Sequence, residues 1–280
     1  FDWFGLTQIL KEHKGKLRQI RMLSVNELKK KYKGAALGPL WALIKPTFTL
    51  FILWFAFEIG LKRNGGVHFI NGKYTQFVFM LTGYVPWFYI SECIVGGSRS
   101  IRSNKQFVTK LSFPVSNIMT FTSLSGLYIH ILLCAIMYVV LLCLGFGPSI
   151  YNLQFIYYAL MMYFFFLVLS WMTAPLSAFS KDFENLINSI ITGLFWLSGI
   201  FWNTYDISPL WLRKLMYFNP INYFVNGYRK SFLTDTFIFD SNYTTETMVF
   251  YAEFIFMIFL GAHTYKKFRN CLLYTSPSPR

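Results

Sequence analysis

Six stretches of this chain are apolar over lengths that no water-soluble core would hide. They run from about Pro39 to Leu61, Gln76 to Val95, Val115 to Leu144, Leu153 to Phe179, Leu186 to Trp202 and Met248 to Tyr265. A helix needs about 20 apolar residues to cross a bilayer core of about 30 Å, so each stretch is read as one crossing. The third is long enough to tilt. Charged residues make up 14% of the chain, against about 25% in an ordinary soluble domain. The 32 Phe, 18 Tyr and 8 Trp exceed what one aqueous core could bury. The expected fold class is an all-α polytopic membrane protein with six transmembrane helices. A net charge of +14 would suggest nucleic acid in a soluble protein. Here basic loops and anionic lipid account for it, so membrane lipids are expected partners and nucleic acid is not.

The placement of those charges orients the chain. The arm through Gly38 holds nine Lys and Arg, the 99–113 loop four, the 180–185 turn one and residues 266–270 three. The alternate loops hold seven over a longer total length. The positive-inside bias predicts a multi-pass membrane protein with both termini cytoplasmic. Residues 1–38 read as a cytoplasmic amphipathic arm and elbow, 39–265 as the six-span domain and 266–270 as a cytoplasmic end. Residues 271–280, CLLYTSPSPR, shift abruptly to Ser and Pro and read as a non-native, adapter-like tail. Because residue 1 is Phe, a few natural N-terminal residues are expected to be missing.

Within the arm, Leu6, Ile9, Leu10, Leu17 and Ile20 recur at helical spacing beside Lys11, Lys14, Arg18 and Arg21. That pattern predicts an amphipathic helix over about 5–24 lying in the membrane interface. The stretch KYKGAALGPLWALIKP, residues 31–46, reads as an elbow: Gly34 and Gly38 permit a bend and Pro39 suits a helix start. On the opposite side, residues 203–247 are too polar to span yet rich in aromatics. Ser208-Pro209 and Asn219-Pro220 signal two short helices over about 208–232, dipping back into the outer leaflet, with Gly227 a weak point.

Motif chemistry excludes more than it offers. There is no GxxxxGK[ST] phosphate loop, HExxH, GxSxG or carboxylate pair at helical spacing, so no catalytic residue is assigned. The scattered histidines indicate no metal site, and His130 reads as a packed polar contact. Cys93, Cys134 and Cys143 read as small buried hydrophobes. Glu58, Glu92 and Glu253 are the carboxylates at or near membrane depth. Aromatics near span ends form an interfacial belt, or line a path for sugars by stacking on pyranose rings; the residues alone leave both open.

Taken in order, several segments resemble the ABC-2 type transporter permeases. KYKGAALGPLWALIKP resembles the family's opening motif, FVTKLSFPVS (107–116) its cytoplasmic loop between spans two and three, FWLSGIFW (195–202) the end of span five, and YFNPINYFVNGYRKSFL (217–233) its external element before the last span. The likeness covers about residues 8–270, and within the family is greatest to the polysaccharide exporters, particularly teichoic acid translocation permeases.

That resemblance implies a half-transporter of the bacterial cytoplasmic membrane that is not itself an enzyme. Two copies would form a homodimer with two separate ABC ATPase subunits, which bind the ATP and Mg that this chain does not. The 99–113 loop would be the ATPase-coupling element, through Arg102, Asn104, Lys105, Phe107, Lys110, Phe113 and Pro114. The cargo implied is a lipid-linked cell-envelope polysaccharide such as teichoic acid or O-antigen. Lys29, Lys30, Lys31 and Lys33, with Trp41, would form a cytoplasmic gate for its pyrophosphate headgroup, although topogenic charge explains those lysines equally. The glycan would pass along Trp54, Tyr84, Trp87, Phe88, Trp196 and Trp202, and Asn219, Pro220, Tyr228 and Arg229 would belong to an outer gate. The alternatives are an ABC-2 exporter of drugs or small lipids and, from another class, a polytopic glycosyl- or acyltransferase, whose catalytic motif is not seen.

Overall fold

The computed structural model of the chain describes residues 3–61, 65–109 and 113–274. Among these the chain forms eleven α-helices: α1 (Trp3–His13), α2 (Leu17–Lys31), α3 (Trp41–Trp54), α4 (Gln76–Ser103), α5 (Lys105–Thr109), α6 (Val115–Cys143), α7 (Gln154–Phe179), α8 (Lys181–Leu197), α9 (Leu210–Leu215), α10 (Pro220–Leu233) and α11 (Thr244–Tyr274). A 3₁₀ turn, Gly38–Leu40, leads into α3, and a π-helical turn, Phe55–Gly60, prolongs it. In hydrocarbon every backbone N–H and C=O must find its partner within the protein. Apolar runs of this length can meet that demand locally only as helices.

Five helical segments are long and apolar enough to cross a membrane: Gly38–Gly60, Gln76–Ser103, Val115–Cys143, Ile150–Phe179 and Ser241–Arg269. The protein is an integral, multi-pass, helical membrane protein. The stretch expected as a fifth span, 186–202, is helical only to Leu197, and α8 has 17 residues, three of them charged in its first turn. Its contacts nonetheless run from one end of the bundle to the other. Glu184 pairs with Arg99 and Arg102 at the C-terminal end of α4. Beyond the far end of α8, Phe201 stacks on Phe57 at 5.2 Å and accepts a hydrogen bond on its carbonyl from Gln76 at the start of α4.

Other expectations are corrected. The arm is two helices rather than one: Gly15 has φ +74, a left-handed conformation that costs glycine little, and it separates α1 from α2. Nor do these helices merely lie on a membrane surface. Ile9, Glu12, Ile20 and Ser24 are buried, because α1 packs on α6 and α11 and α2 packs along α6. The elbow does turn at Gly34 (φ +83) and Gly38 (φ +49). The fold is also not purely helical, since β1 (Val67–Phe69) and β2 (Gly72–Tyr74) form an antiparallel hairpin with His68 opposite Lys73. Its two-residue turn, Ile70-Asn71, places Ile70 in the left-handed region at φ 54. Phe69, fully buried, wedges the hairpin against Phe79 and Tyr205. Cys93 and Cys134 are buried as expected, but Cys143 at the end of α6 is exposed. The final helix continues to Tyr274, four residues past the boundary drawn from composition.

α4 is the hub of the bundle. Over its most apolar window 78% of residues are buried, against 17% for the first spanning segment, and it packs on α3, α6, α7, α8 and α10. Every residue of α10 from Ile221 to Leu233 is buried. Gly227 is therefore no weak point: a Cβ there would overlap the ring of Tyr158, itself buried on α7. Gly227→Ala is expected to destabilise the protein by about 1–3 kcal/mol through overpacking, read as a lower melting temperature in detergent. An unchanged melting temperature would contradict this packing.

Candidate functional site

A cavity of about 500 Å³ opens where the arm, α3, α4 and α6 meet. Lys30 and Lys31 reach it from α2, Lys45 from α3, Glu92 and Arg99 from α4, and Thr122, Ser123 and Ser125 from α6. Gly96, Gly97 and Gly126 also line it, keeping side-chain bulk out of the space between α4 and α6.

Ion pairs crosslink its walls. Glu92 pairs with Lys31 through one carboxylate oxygen and with Lys45, at 3.8 Å, through the other. Desolvation works against the charge on Lys31, but the neighbouring Glu92 carboxylate outweighs it and holds the ammonium above the usual lysine range. Lys30 donates to Asn104 Oδ1 at 3.3 Å and to the Ser103 carbonyl at 3.4 Å. Arg99 pairs with Glu184 at 2.6 Å. Four cations and two carboxylates, Glu27 and Glu92, line the cavity, leaving an excess of positive charge suited to an anion.

The ABC-2 type transporter family matches residues 18–233 of the chain. The chain belongs to this family. It is 25% identical over 207 residues to the O-antigen export system permease protein RfbA of Myxococcus xanthus, covering 74% of this chain and 76% of that protein. It is also 24% identical over 258 residues to a protein of the same description from Klebsiella pneumoniae, covering 89% and 91%. ABC-2 permeases work with an ABC ATPase partner.

In this ABC-2 protein the sequence-derived gate residues divide. Lys30 and Lys31 line the cavity, whereas Lys29, Lys33 and Trp41 are exposed and lie outside it. Lys45, Glu92 and Arg99 belong to the cavity but were not placed there from sequence. Of these only Glu92 stands out in the sequence, as a carboxylate near membrane depth.

The coupling residues are also unequal. Asn104 is buried and ends α4, its side chain donating to the Ser100 carbonyl at 3.2 Å. Arg102 is engaged by Glu184 at 2.8 Å and by the Ser177 carbonyl. Phe107 is half-buried, its ring against Phe113 at 5.6 Å and Phe121 at 5.7 Å. Pro114 caps the start of α6. Lys105 and Gln106, on the five-residue α5, are exposed. Lys110 lies outside the described residues.

Three of the six path aromatics are corrected by their burial. Tyr84, Trp87 and Phe88 are at most 8% exposed and sit in the bundle core, with Tyr84 and Trp87 both against Phe195. The central position of α4 leaves its aromatics no outward face. Trp196 is 52% exposed. Trp54 and Trp202 are half-buried, Trp54 donating to Glu58 and Trp202 to the Trp196 carbonyl.

At the hairpin end, Asn219 caps α10 by accepting from the Ile221 and Asn222 backbone amides. Pro220 occupies the first turn of α10. The Tyr228 hydroxyl lies 2.6 Å from His130 Nε2, so His130 is a packed polar contact. Arg229 is fully buried. It donates to the carbonyls of Gly199 (2.7 Å), Ile200 (2.7 Å) and Phe79 (3.1 Å), and its guanidinium lies over the Phe79 ring at 3.4 Å. Neither Tyr228 nor Arg229 is free to swing as a gate. They lock α10 to α4, α6 and the 199–200 turn.

Proposed function

We propose that this chain is the membrane subunit of an ATP-driven exporter of a lipid-linked cell-envelope polysaccharide, of the O-antigen or teichoic acid kind. The single observation that carries this reading is the cation-lined cavity between arm, α3, α4 and α6, which is suited to a pyrophosphate headgroup. The description of the relatives as O-antigen export permeases supports the same cargo class. Lys30, Lys31, Lys45 and Arg99 hold the headgroup. Lys29, Lys33 and Trp41 are the basic approach to it, and both termini lie on the cytoplasmic side.

In this reading α8 is a sixth crossing. Its 17 residues fall at the short end of spanning lengths, and its contacts at both ends of the bundle support it. The exposed side of α8 carries a stripe of Asn185, Ser189, Thr192 and Trp196 beside an apolar stripe of Leu186, Ile190 and Leu197. Polar groups at membrane depth turn toward protein or water rather than lipid, so the polar stripe lines a passage between two copies in a homodimer. Trp54, Trp196 and Trp202 contribute aromatic surface to it. The 99–113 segment couples to the ATPase through Lys105 and its neighbours. Residues 208–232 stand over the outer end, with α10 as a fixed wall. ATP and Mg bind the partner subunit, whose closure draws the two coupling segments together.

Deleting the gene in its host is expected to remove the polysaccharide from the cell surface and leave its lipid-linked form on the cytoplasmic side, by labelling of intact and permeabilised cells. The purified chain is expected to hydrolyse no ATP until the ATPase is added. Unchanged surface polysaccharide in the deletion strain, or turnover by the chain alone, would overturn the proposal.

A further inference from the structure

Glu92 already occupies the position that an incoming anion needs. Its two carboxylate oxygens hold Lys31 of the arm and Lys45 of α3, two cations from opposite sides of the elbow. These ties are exchangeable. The lysine side chains are 45% and 69% exposed, and ion pairs of that kind contribute about 0–1 kcal/mol. The other cations around the cavity are held apart from Glu92: Arg99 by Glu184, and Lys30 by Asn104, the Ser103 carbonyl and Glu27.

A second observation points to a missing acceptor. Ser100 lines the same cavity, is 1% exposed, and its hydroxyl has no hydrogen-bond partner among the described residues, whereas the neighbouring Ser123 hydroxyl is engaged by the Cys93 thiol. Buried hydroxyls are normally bonded. The cavity thus combines one unmatched donor with two cations held by one displaceable carboxylate.

We propose that Glu92 is a stand-in anion: it holds Lys31 and Lys45 in position, and a diphosphate headgroup displaces it and bridges both lysines. This inference rests on the reading of the cavity as a headgroup gate and adds the residue that sets its selectivity. A carboxylate brings one charge and two acceptor oxygens, whereas a diphosphate brings more of both. A singly charged phosphodiester, as in an ordinary anionic phospholipid, does not compete as well. Glu92 therefore screens the gate against bulk lipid, and displacing it links arm to α3 through the cargo instead of through α4.

The test measures binding to the purified full chain in nanodiscs by native mass spectrometry. The probe is farnesyl diphosphate, with inorganic pyrophosphate for a free phosphate source, farnesol for the chain alone, and phosphatidylglycerol for a bulk lipid. Wild type is expected to bind farnesyl diphosphate in preference to phosphatidylglycerol and farnesol. Glu92→Gln is expected to bind the diphosphate about five-fold more tightly, from release of two surface-type pairs, and to bind phosphatidylglycerol measurably better. Glu92→Asp, which keeps the charge but retracts it, is expected to fall between wild type and Glu92→Gln, and it serves if the Gln variant melts early. Unchanged or weaker diphosphate binding by the Gln variant, or by the Asp variant where that replaces it, overturns the role of Glu92 while leaving the headgroup gate intact. If Lys31→Ala/Lys45→Ala binds the diphosphate as wild type does, the headgroup gate itself fails and this inference fails with it. Binding of inorganic pyrophosphate as tight as that of farnesyl diphosphate would support the anion exchange and place its source in solution rather than in the lipid.

Discussion

Arg229→Ala is expected to destabilise the protein by more than about 3 kcal/mol, because it leaves the carbonyls of Gly199, Ile200 and Phe79 without their shared donor inside the bundle. Each buried polar group left unpaired costs about 1–3 kcal/mol, a cost that falls on the Gly199 and Ile200 carbonyls because that of Phe79 also accepts from Thr82 Oγ1 at 3.2 Å, and the substitution also removes the contact with the Phe79 ring. Lysine does not substitute: a single ammonium cannot reproduce a planar fork that reaches carbonyls on two different elements. Arg229→Lys should therefore lose a large part of the same stability. Gly83→Ala approaches the site from the other side, since a Cβ on Gly83 would crowd the guanidinium at 2.5 Å. All three variants should melt earlier in detergent and expose 198–233 to protease. An Ala variant that melts like wild type would show that these carbonyls find water instead and that α10 is not locked.

The second large effect is expected at Glu12, which holds three helices together. Its carboxylate accepts from Ser116 Oγ at 2.5 Å, from the Tyr265 hydroxyl at 2.7 Å and from Gln8 at 3.1 Å, and it pairs with Arg269 at 2.8 Å. The Asn117 side chain donates to the Glu12 carbonyl at 3.0 Å. Breaking one partner out of a buried ion pair costs about 3–5 kcal/mol, so Glu12→Ala should release α1 from α6 and α11. The measurement is protease cleavage within 1–16, with the melting temperature as a second readout.

Glu12 also makes the arm's docking depend on pH. Burial alone would raise the carboxyl's pKa. The hydrogen bonds from Ser116, Tyr265 and Gln8, together with Arg269, overcome that and lower it from its ordinary value of 4.5. A carboxylate depressed in the folded state contributes its stability fully above about pH 4.5 and loses it as pH falls through the lowered value. Arm protection should therefore be flat from neutral pH down to about 4.5 and decline below it, and Glu12→Gln should remove that decline. A Gln variant with the wild-type acid profile would assign the transition to another group.

Arg229 and Glu12 mark the boundary of what could be read in advance. The spanning segments were legible because their cause is local: a run of Phe, Leu and Ile in hydrocarbon must satisfy its own backbone, and the helix does so within four residues. The elbow was legible for the same reason, since Gly34 and Gly38 carry their left-handed freedom wherever they stand. α8 was overrun at its end because Ser198, Gly199 and Ile200 look apolar enough to continue. They stop because Gly199 takes φ +66 and the carbonyls there turn to Arg229.

The candidate site was half legible. Lys30 and Lys31 stood out as part of a basic run, but nothing in their spacing selected them over Lys29 and Lys33. Selection came from residues of α4 and its C-cap distant in the chain: Glu92, 61 residues from Lys31, and Asn104, 74 residues from Lys30. Tyr84, Trp87 and Phe88 show the converse. An aromatic suits a sugar path and a helix core equally well, and only the central position of α4 decided for the core.

What the sequence determined by itself was the class of molecule and five of its spanning helices, which follow from solvation of single segments. The tertiary structure alone decided which charges meet, which aromatics stay exposed and why α10 is immobile. Inside a membrane the hydrophobic effect does little to choose one helix contact over another. That choice falls to packing and to polar contacts between residues distant in the chain, such as Glu92 with Lys31, Glu12 with Ser116, and Arg229 with the carbonyl of Phe79.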